Sequence, residues 1–253
     1  MIITKVLPDK TALGRAAAAC GAAAIRTAIE ARGKANIVVA TGASQFEMLA
    51  EFVRADLDWS RVTAFHLDEY IGMSETNPAS FRHYLRARFT AHLPSLRAFH
   101  FVEGDAPDLA AELARLGGLV QAHPVDVTFA GIGENAHLAF NDPPADFEAA
   151  EAFKVVDLDE RCRRQQFGEG WFSSLDAVPR AAISMTIGQI MKSALIVLAV
   201  PDARKAEAVR ATLKAEISPE VPASILRRHP SCHLFLDPAS AALVGQRPGS
   251  DQA

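Results

Sequence analysis

The chain has 253 residues, 49% of them apolar and 22% charged, a balance typical of an ordinary globular protein. Its net charge of −4, from 26 basic and 30 acidic side chains, argues against a protein that binds nucleic acid or another polyanion in general. The three cysteines, Cys20, Cys162 and Cys232, include no close pair, so neither a disulfide framework nor a zinc site is predicted.

We expect a cytoplasmic protein with no membrane-spanning segment. Residues 1–8 form a short β-like run rather than a charged start followed by a long apolar stretch. The alanine-rich residues 16–25 are bracketed too closely by Arg15 and Arg26 to span a bilayer. A helix packed on a sheet explains them better.

Apolar runs alternate with amphipathic stretches along the chain. We predict strands over residues 2–6, 36–40, 62–67, 98–102, 125–130, 153–158, 182–185, 194–200 and 232–236. We predict helices over residues 10–32, 44–54, 77–92, 108–122, 161–167, 187–192, 202–213 and 223–228. Apolar strands separated by helices predict an α/β protein with one doubly wound, mainly parallel, Rossmann-like sheet that carries helices on both faces. One domain over residues 1–245 is predicted, followed by a flexible tail over residues 246–253.

In such a sheet, ligands bind beyond the carboxyl ends of the strands, so the residues that follow each apolar run are the candidates for a site. After residues 36–40 comes the turn Thr41-Gly42-Ala43-Ser44. A small turn that contains glycine and opens a helix can offer N–H groups and hydroxyls to an anion, although many turns of this kind bind nothing.

Adjacent carboxylates follow the strand over residues 62–67, at Asp68 and Glu69. Charges at the mouth of a buried strand are costly unless they are solvated, paired or functional. Helix capping or a salt bridge would explain them, and so would a general base.

A dense polar segment, residues 131–144, follows the strand over residues 125–130. It holds His137, with Asn135 two residues before it and Asp142 five residues after it. A histidine among so many polar groups is a candidate for acid–base chemistry, whereas a lone histidine is more often structural. Farther along, Lys205 lies at the start of a predicted helix, where it opposes the helix dipole; phosphate binding or simple surface exposure would account for it.

Together these segments resemble the glucosamine-6-phosphate deaminase/6-phosphogluconolactonase family. Its phosphate-turn pattern T-G-G-[ST] appears as Thr41-Gly42-Ala43-Ser44, with alanine at the second glycine, and its D-E-Y-x-G segment matches residues 68–72. The deaminase signature G-x-G-x-[DN]-G-H-[IL]-A-F-N-[ED]-P matches residues 131–143 with one departure, Ala136. The continuation after His137 is of the deaminase type. The resemblance implies the conversion of glucosamine 6-phosphate and water to fructose 6-phosphate and ammonia, without a metal or other cofactor.

The resemblance also implies roles for individual residues. Asp68 would be the base that moves a proton between C2 and C1, with Glu69 as an orienting neighbour, and His137 would help to open the sugar ring with support from Asp142 and Asn135. The phosphate would be bound by Thr41, Gly42, Ala43, Ser44, Arg161 and Lys205.

Near the histidine, Ala136 departs from the signature, and Asn135 and Asp142 are residues that the signature allows but that differ from the usual Asp and Glu. Asn135 stands where the family has Asp and so loses a charge, Ala136 replaces a glycine and would be strained at positive φ, and Asp142 is one methylene shorter than the usual Glu. Contact between Asp142 and His137 is therefore expected to need a shift of the loop or a bridging water.

These departures leave other functions open. A 6-phosphogluconolactonase, an enzyme for another hexosamine phosphate such as galactosamine 6-phosphate, a sugar-phosphate sensor and a catalytically impaired homologue are the alternatives. The predicted partner is a small sugar phosphate, and a homo-oligomer is possible.

Overall fold

The computed structural model describes residues 2–245; the predicted tail over residues 246–253 lies outside them. Its strands are β1 (Ile2–Val6), β2 (Ala35–Val39), β3 (Val62–His66), β4 (Asp68–Tyr70), β5 (Ala98–His100), β6 (Val127–Ala130), β7 (Phe153–Asp157), β8 (Ala181–Met185), β9 (Leu195–Val200) and β10 (Cys232–Leu236). Its helices are α1 (Lys10–Arg32), α2 (Phe46–Phe52), α3 (Phe81–Arg88), α4 (Leu109–Ala122), α5 (Glu160–Gly168), α6 (Ile187–Ile190) and α7 (Ala206–Lys214).

The main sheet has seven strands in the order β1-β10-β9-β6-β2-β3-β5, and every neighbouring pair is parallel. Alternate residues of β2 face opposite cores: Ile37 and Val39 belong to the core under α1 and α2, whereas Val38 belongs to the core under α4 and α7. This is what a period of two requires in a strand that is buried on both faces. The predicted doubly wound parallel sheet is confirmed.

The strand order reverses at β2. The chain runs outward from β2 to β3 and β5, then returns to the other side of β2 to form β6. Loops that leave β2 and β6 in opposite directions open a crevice at the carboxyl ends of these strands. The candidate motifs of the sequence follow β2, β3, β6 and β9, so the topology brings them to one edge.

A second sheet, β4-β8-β7, is antiparallel and was not predicted. Asp68 and Glu69, which follow the strand predicted over residues 62–67, form a separate short strand, β4, which pairs with β8. The predicted strands over residues 153–158 and 182–185 do exist, yet they join this sheet rather than the main one. A strand of three residues carries too little hydrophobic periodicity to be recognised in a sequence.

Several helix bounds also differ from the prediction. The helix predicted over residues 77–92 begins only at Phe81, because the side chain of Ser80 accepts hydrogen bonds from the N–H groups of Arg82 and His83 and so forms its N-cap. The starts of the helices predicted at residues 44 and 202 are 3₁₀ turns, Ala43–Gln45 and Ala203–Lys205, and the segment predicted over residues 223–228 is also 3₁₀.

Candidate active site

A cleft of about 510 Å³ lies at the carboxyl ends of β2, β3 and β6. The residues that line it are Ala40, Thr41, Gly42, Ser44, Leu67, Asp68, Phe81, Gly131, Ile132, Gly133, His137, Ala139, Phe140, Gln165, Gln166, Glu169 and Lys205. Six of the eleven residues proposed from the sequence are among them, contributed by four separate segments of the chain.

Asp68 is a nearly fully buried carboxyl group at the wall of this cleft. Its Oδ1 atom has no hydrogen-bond partner within the described part of the protein. Burial, with a smaller contribution from the charge of Glu69, raises the pKa of Asp68 to about 8. A carboxyl group tuned to near-neutral pH at the edge of a cleft can take a proton from a bound molecule and return it.

Glu69 points away from the cleft and holds the start of α3. Its carboxylate accepts hydrogen bonds from the N–H groups of Tyr70, Phe81 and Arg82 and from the Ser80 hydroxyl, at 2.7–3.1 Å. Burial raises the pKa of Glu69, and these hydrogen bonds oppose the rise. Of the two explanations open at this pair of acids, capping therefore fits Glu69 and a base fits Asp68.

His137 also lines the cleft, and its ring lies on Gly133. A Cβ atom at residue 133 would come within 2.3 Å of the imidazole Nε2, so only glycine leaves room for the ring. The Nδ1 atom lies 2.9 Å from Oδ1 of Asp142. The shorter acid therefore reaches the histidine directly, and of the two alternatives left open by the sequence, a shifted loop or a bridging water, the water is not needed. The contact lies off the line of a good hydrogen bond, so it is chiefly electrostatic.

Asn135 and Asp142 lie behind His137 rather than in the cleft. Asn135 donates a hydrogen bond from Nδ2 to Asp142 Oδ1 at 3.0 Å, and its Oδ1 accepts one from the N–H of His137 at 3.2 Å. The N–H of Asp159 binds the other oxygen of Asp142 at 3.1 Å. Burial alone would raise the pKa of Asp142, but the contacts with His137, Asn135 and Asp159 lower it below its usual value. The carboxylate is therefore held ionised beside the imidazole.

Ala136 has the strained backbone that the sequence pointed to, with φ of 66°. Its N–H donates to the carbonyl of Gly133 and its own carbonyl accepts from the N–H of Ala223, so the turn is held from both sides. A non-glycine residue in this region costs about 1 kcal/mol. The replacement of glycine keeps the conformation and adds a small strain.

Thr41, Gly42 and Ser44 of the turn over residues 41–44 line the cleft together with Lys205. Gly42 has φ of 97°, which favours glycine, and its carbonyl accepts a hydrogen bond from the Tyr84 hydroxyl at 3.0 Å. Lys205 is 5% exposed and lines the same cavity. Burial lowers the pKa of Lys205, while the charges of Glu169 and Glu134 oppose this effect. A buried ammonium group beside a backbone turn is a typical setting for a phosphate.

Arg161 does not reach this cleft. It is exposed on α5, and the residues of α5 that line the cavity are Gln165 and Gln166, with Glu169 just after the helix. The role given to Arg161 by the resemblance therefore has no support in this arrangement. The sequence analysis missed these three side chains, although they lie three, four and seven residues after the buried Cys162, a spacing that marks one face of a helix.

Cys162 lies next to the histidine and its acid. The ligand atoms of His137, Asp142 and Cys162 all lie within 4.8 Å of one another, a set that could hold a metal ion such as zinc. Burial, and secondarily the charges of Asp142 and Asp159, raise the pKa of the Cys162 thiol well above its usual value. Metal binding needs the thiolate, and the raised pKa keeps the Cys162 thiol neutral. The arrangement therefore fits an acid–base pair of His137 and Asp142 packed against a neutral thiol better than a metal site.

Comparison with known proteins agrees with this geometry. The family model of the glucosamine-6-phosphate isomerases/6-phosphogluconolactonase matches residues 8–234. The chain belongs to this family.

Its relatives favour one branch of the family. A glucosamine-6-phosphate deaminase from Streptococcus sanguinis is 35% identical over 214 residues, which is 85% of this chain and 89% of that protein. One from Bacillus cytotoxicus is 35% identical over 222 residues, 88% of this chain and 83% of that protein. The structure of a monomeric glucosamine-6-phosphate deaminase superposes with a TM-score of 0.86 at 31% identity, covering 96% of this chain and all of that one.

Lactonases of the family share the fold but little of the sequence. A 6-phosphogluconolactonase from Shewanella baltica gives a TM-score of 0.78 at 17% identity, over 94% of this chain and 97% of that one. Such a likeness shows the fold alone. Separately, no helix among residues 2–245 is long and apolar enough to cross a membrane. The cytoplasmic compartment stays a prediction.

Proposed function

We propose that this member of the family converts glucosamine 6-phosphate and water to fructose 6-phosphate and ammonia. The observation that carries the proposal is one cleft that is lined by the acid–base groups Asp68 and His137, by the buried Lys205 and by the turn over residues 41–44. Binding the phosphate at Lys205 and this turn would fix the carbon chain against the carboxyl group of Asp68.

In this proposal His137 opens the sugar ring. Ring opening requires a proton to leave the O1 hydroxyl and one to reach O5, and an imidazole can carry protons near neutral pH. The ionised Asp142 at 2.9 Å would stabilise the imidazolium that forms when His137 takes the proton. Asn135 and Asp142 act through the histidine, so they are positioning residues.

Asp68 would then carry the isomerisation. Its carboxylate removes the proton from C2 of the open-chain aldehyde while O1 takes up a proton, which gives an enamine. Asp68 then delivers its proton to C1 as the nitrogen gives up a proton in place of the one that O1 took, and this leaves an imine at C2. Water adds to this imine and ammonia leaves, giving fructose 6-phosphate, and no electrons are gained or lost overall. A protonated amine of the substrate beside Asp68 would lower the pKa of that carboxyl from about 8 and favour the basic form.

The test measures ammonia and fructose 6-phosphate together from glucosamine 6-phosphate. Equal release by the parent protein, lost in Asp68→Asn but retained in a variant of the exposed Asp56, Asp56→Asn, is the expected result. Galactosamine 6-phosphate and 6-phosphogluconolactone are the comparison substrates. Faster turnover of either would replace the proposed substrate, and no release of ammonia from any hexosamine phosphate would contradict the proposed reaction.

The assembly state is a separate question. A homo-oligomer was considered possible from the sequence, whereas one related protein of known structure is a monomeric deaminase. Sedimentation at several concentrations would decide between them.

A further inference from the structure

Glu169 places a carboxylate at the part of the cleft where an anion is expected. Its Oε2 atom accepts a long hydrogen bond, 3.5 Å, from the backbone N–H of Ala43. The same oxygen lies 3.9 Å from the point where a Cβ atom on Gly42 would stand. Its other oxygen, Oε1, accepts a hydrogen bond from Gln165 Nε2 at 3.2 Å. A side chain of the protein thus lies against the turn over residues 41–44.

The charges around this position explain why a carboxylate is stable there. Lys205 is the only lysine or arginine among the described residues that line the cleft, and no carboxylate of residues 2–245 comes within 4 Å of its ammonium group. A buried ammonium group without a partner is costly. The negative charge of Glu169 is the largest influence that opposes the loss of the proton from Lys205. With no ligand bound, Glu169 balances part of this positive charge.

A phosphate ester brings up to two negative charges to the same turn. Like charges at short range in a partly buried site repel each other strongly. Since Glu169 and the ester would both use the N–H group of Ala43 and the field of Lys205, they compete for one place.

The position of Glu169 in the chain allows its side chain to move away from the turn over residues 41–44. Glu169 is the residue that follows α5, and the next residue, Gly170, has φ of 85°. No atom lies within 4 Å of the position of a Cβ on Gly170, so the chain has space there. Trp171 then packs edge-on against Phe46 and Tyr84 beside the turn. A rotation of the Glu169 side chain would free the turn without unfolding α5.

We propose that Glu169 is a self-supplied anion that competes with the phosphate group of the substrate for the turn over residues 41–44 and is displaced by it. The inference rests on the proposed function for the assignment of the phosphate to that turn. Glu169 sets the affinity for phosphate esters: it lowers binding of every phosphate ligand and so removes weakly held phosphates from the site.

The experiment uses Glu169→Gln, which keeps size and the acceptor for Gln165 but removes the charge. The matched control is Glu160→Gln, the same change on the same helix at an exposed side chain that pairs with Arg164 outside the cleft. Inorganic phosphate is titrated into each protein, with calorimetry and tryptophan fluorescence as readouts. We expect Glu169→Gln to bind phosphate about tenfold more tightly than the parent, and the control to bind like the parent.

A second variant, Glu169→Ala, removes the side chain and should also tighten phosphate binding, which guards against an effect specific to glutamine. Unchanged or weaker phosphate binding in both Glu169 variants, including no binding by any of the proteins, would overturn the inference. The KM for glucosamine 6-phosphate should fall in the same variants; a rise would mean that Glu169 holds a hydroxyl or amine of the substrate instead. Phosphate titration needs no turnover, so the release of ammonia by the parent protein tests the proposed function independently.

Discussion

Replacement of Asp68 by asparagine should abolish activity and at the same time stabilise the protein at alkaline pH. The carboxyl group is almost fully buried, its Oδ1 has no partner among the described residues, and burial raises its pKa from 3.8 to about 8. In the unfolded chain the same group ionises near pH 4. The folded protein therefore holds a proton on Asp68 that the unfolded chain has lost at every pH between these values.

Stability must consequently fall as the pH rises through this window. The folded state binds more protons than the unfolded state there, so the free energy of unfolding decreases by up to ~1.4 kcal/mol per pH unit. Four units would give ~6 kcal/mol, and hydration of the carboxylate from the open cleft reduces the expected loss to about 2–3 kcal/mol. Asparagine has the same shape and no proton to lose, so the advantage of Asp68→Asn should be small near pH 4 and largest above pH 8.

Two assays test this reasoning together. Urea unfolding at pH 5, 7 and 9 measures the free energy of unfolding of both proteins, and the pH dependence of kcat/KM measures the ionisation of Asp68 in the free enzyme. We expect kcat/KM of the parent to rise with pH up to about 8. The kcat of Asp68→Asn should be about 10²- to 10⁴-fold lower than that of the parent. Equal dependence of stability on pH in the two proteins would refute the raised pKa, and an active variant would refute the role as base.

Three further predictions concern the other walls of the cleft. Lys205→Met should raise the KM for glucosamine 6-phosphate about tenfold or more, because a charge-assisted hydrogen bond to the phosphate is lost. Arg161→Ala should change the KM less than about twofold. Steady-state kinetics that show the reverse would restore Arg161 to the site. Asp142→Asn should lower kcat about 10²-fold because the charge that stabilises the His137 imidazolium is lost, and a kcat equal to that of the parent would remove Asp142 from the mechanism. Glu69→Gln should lower the free energy of unfolding by about 2–4 kcal/mol, since an amide cannot accept hydrogen bonds from three N–H groups and a hydroxyl as the carboxylate does. A variant that is inactive but as stable as the parent in urea unfolding would show that Glu69 acts in catalysis rather than in capping α3.

The class of fold and the candidate residues of the site could be predicted from the amino-acid sequence. Apolar runs such as residues 36–40 and 194–200, separated by amphipathic stretches, specify strands that are buried on both faces, and these form a parallel sheet. Because the carboxyl ends of parallel strands meet at one edge, Asp68, His137, Lys205 and the turn over residues 41–44 could be placed together before any coordinates. The long deaminase signature at residues 131–143 then indicated the branch of the family.

Only the tertiary structure decided which of these side chains face the cleft. Asp68 and Glu69 are adjacent and chemically alike, yet one faces the cavity and the other holds α3, because successive residues of a strand point to opposite sides and β4 is too short to be recognised. Arg161 lies outside while Gln165, Gln166 and Glu169 lie inside, a choice fixed by the rotation of α5 against the sheet. Asp142 reaches His137 despite its shorter side chain because the loop between them folds tightly. Distances between residues far apart in the chain depend on how loops and helices pack, and local sequence carries no record of that packing.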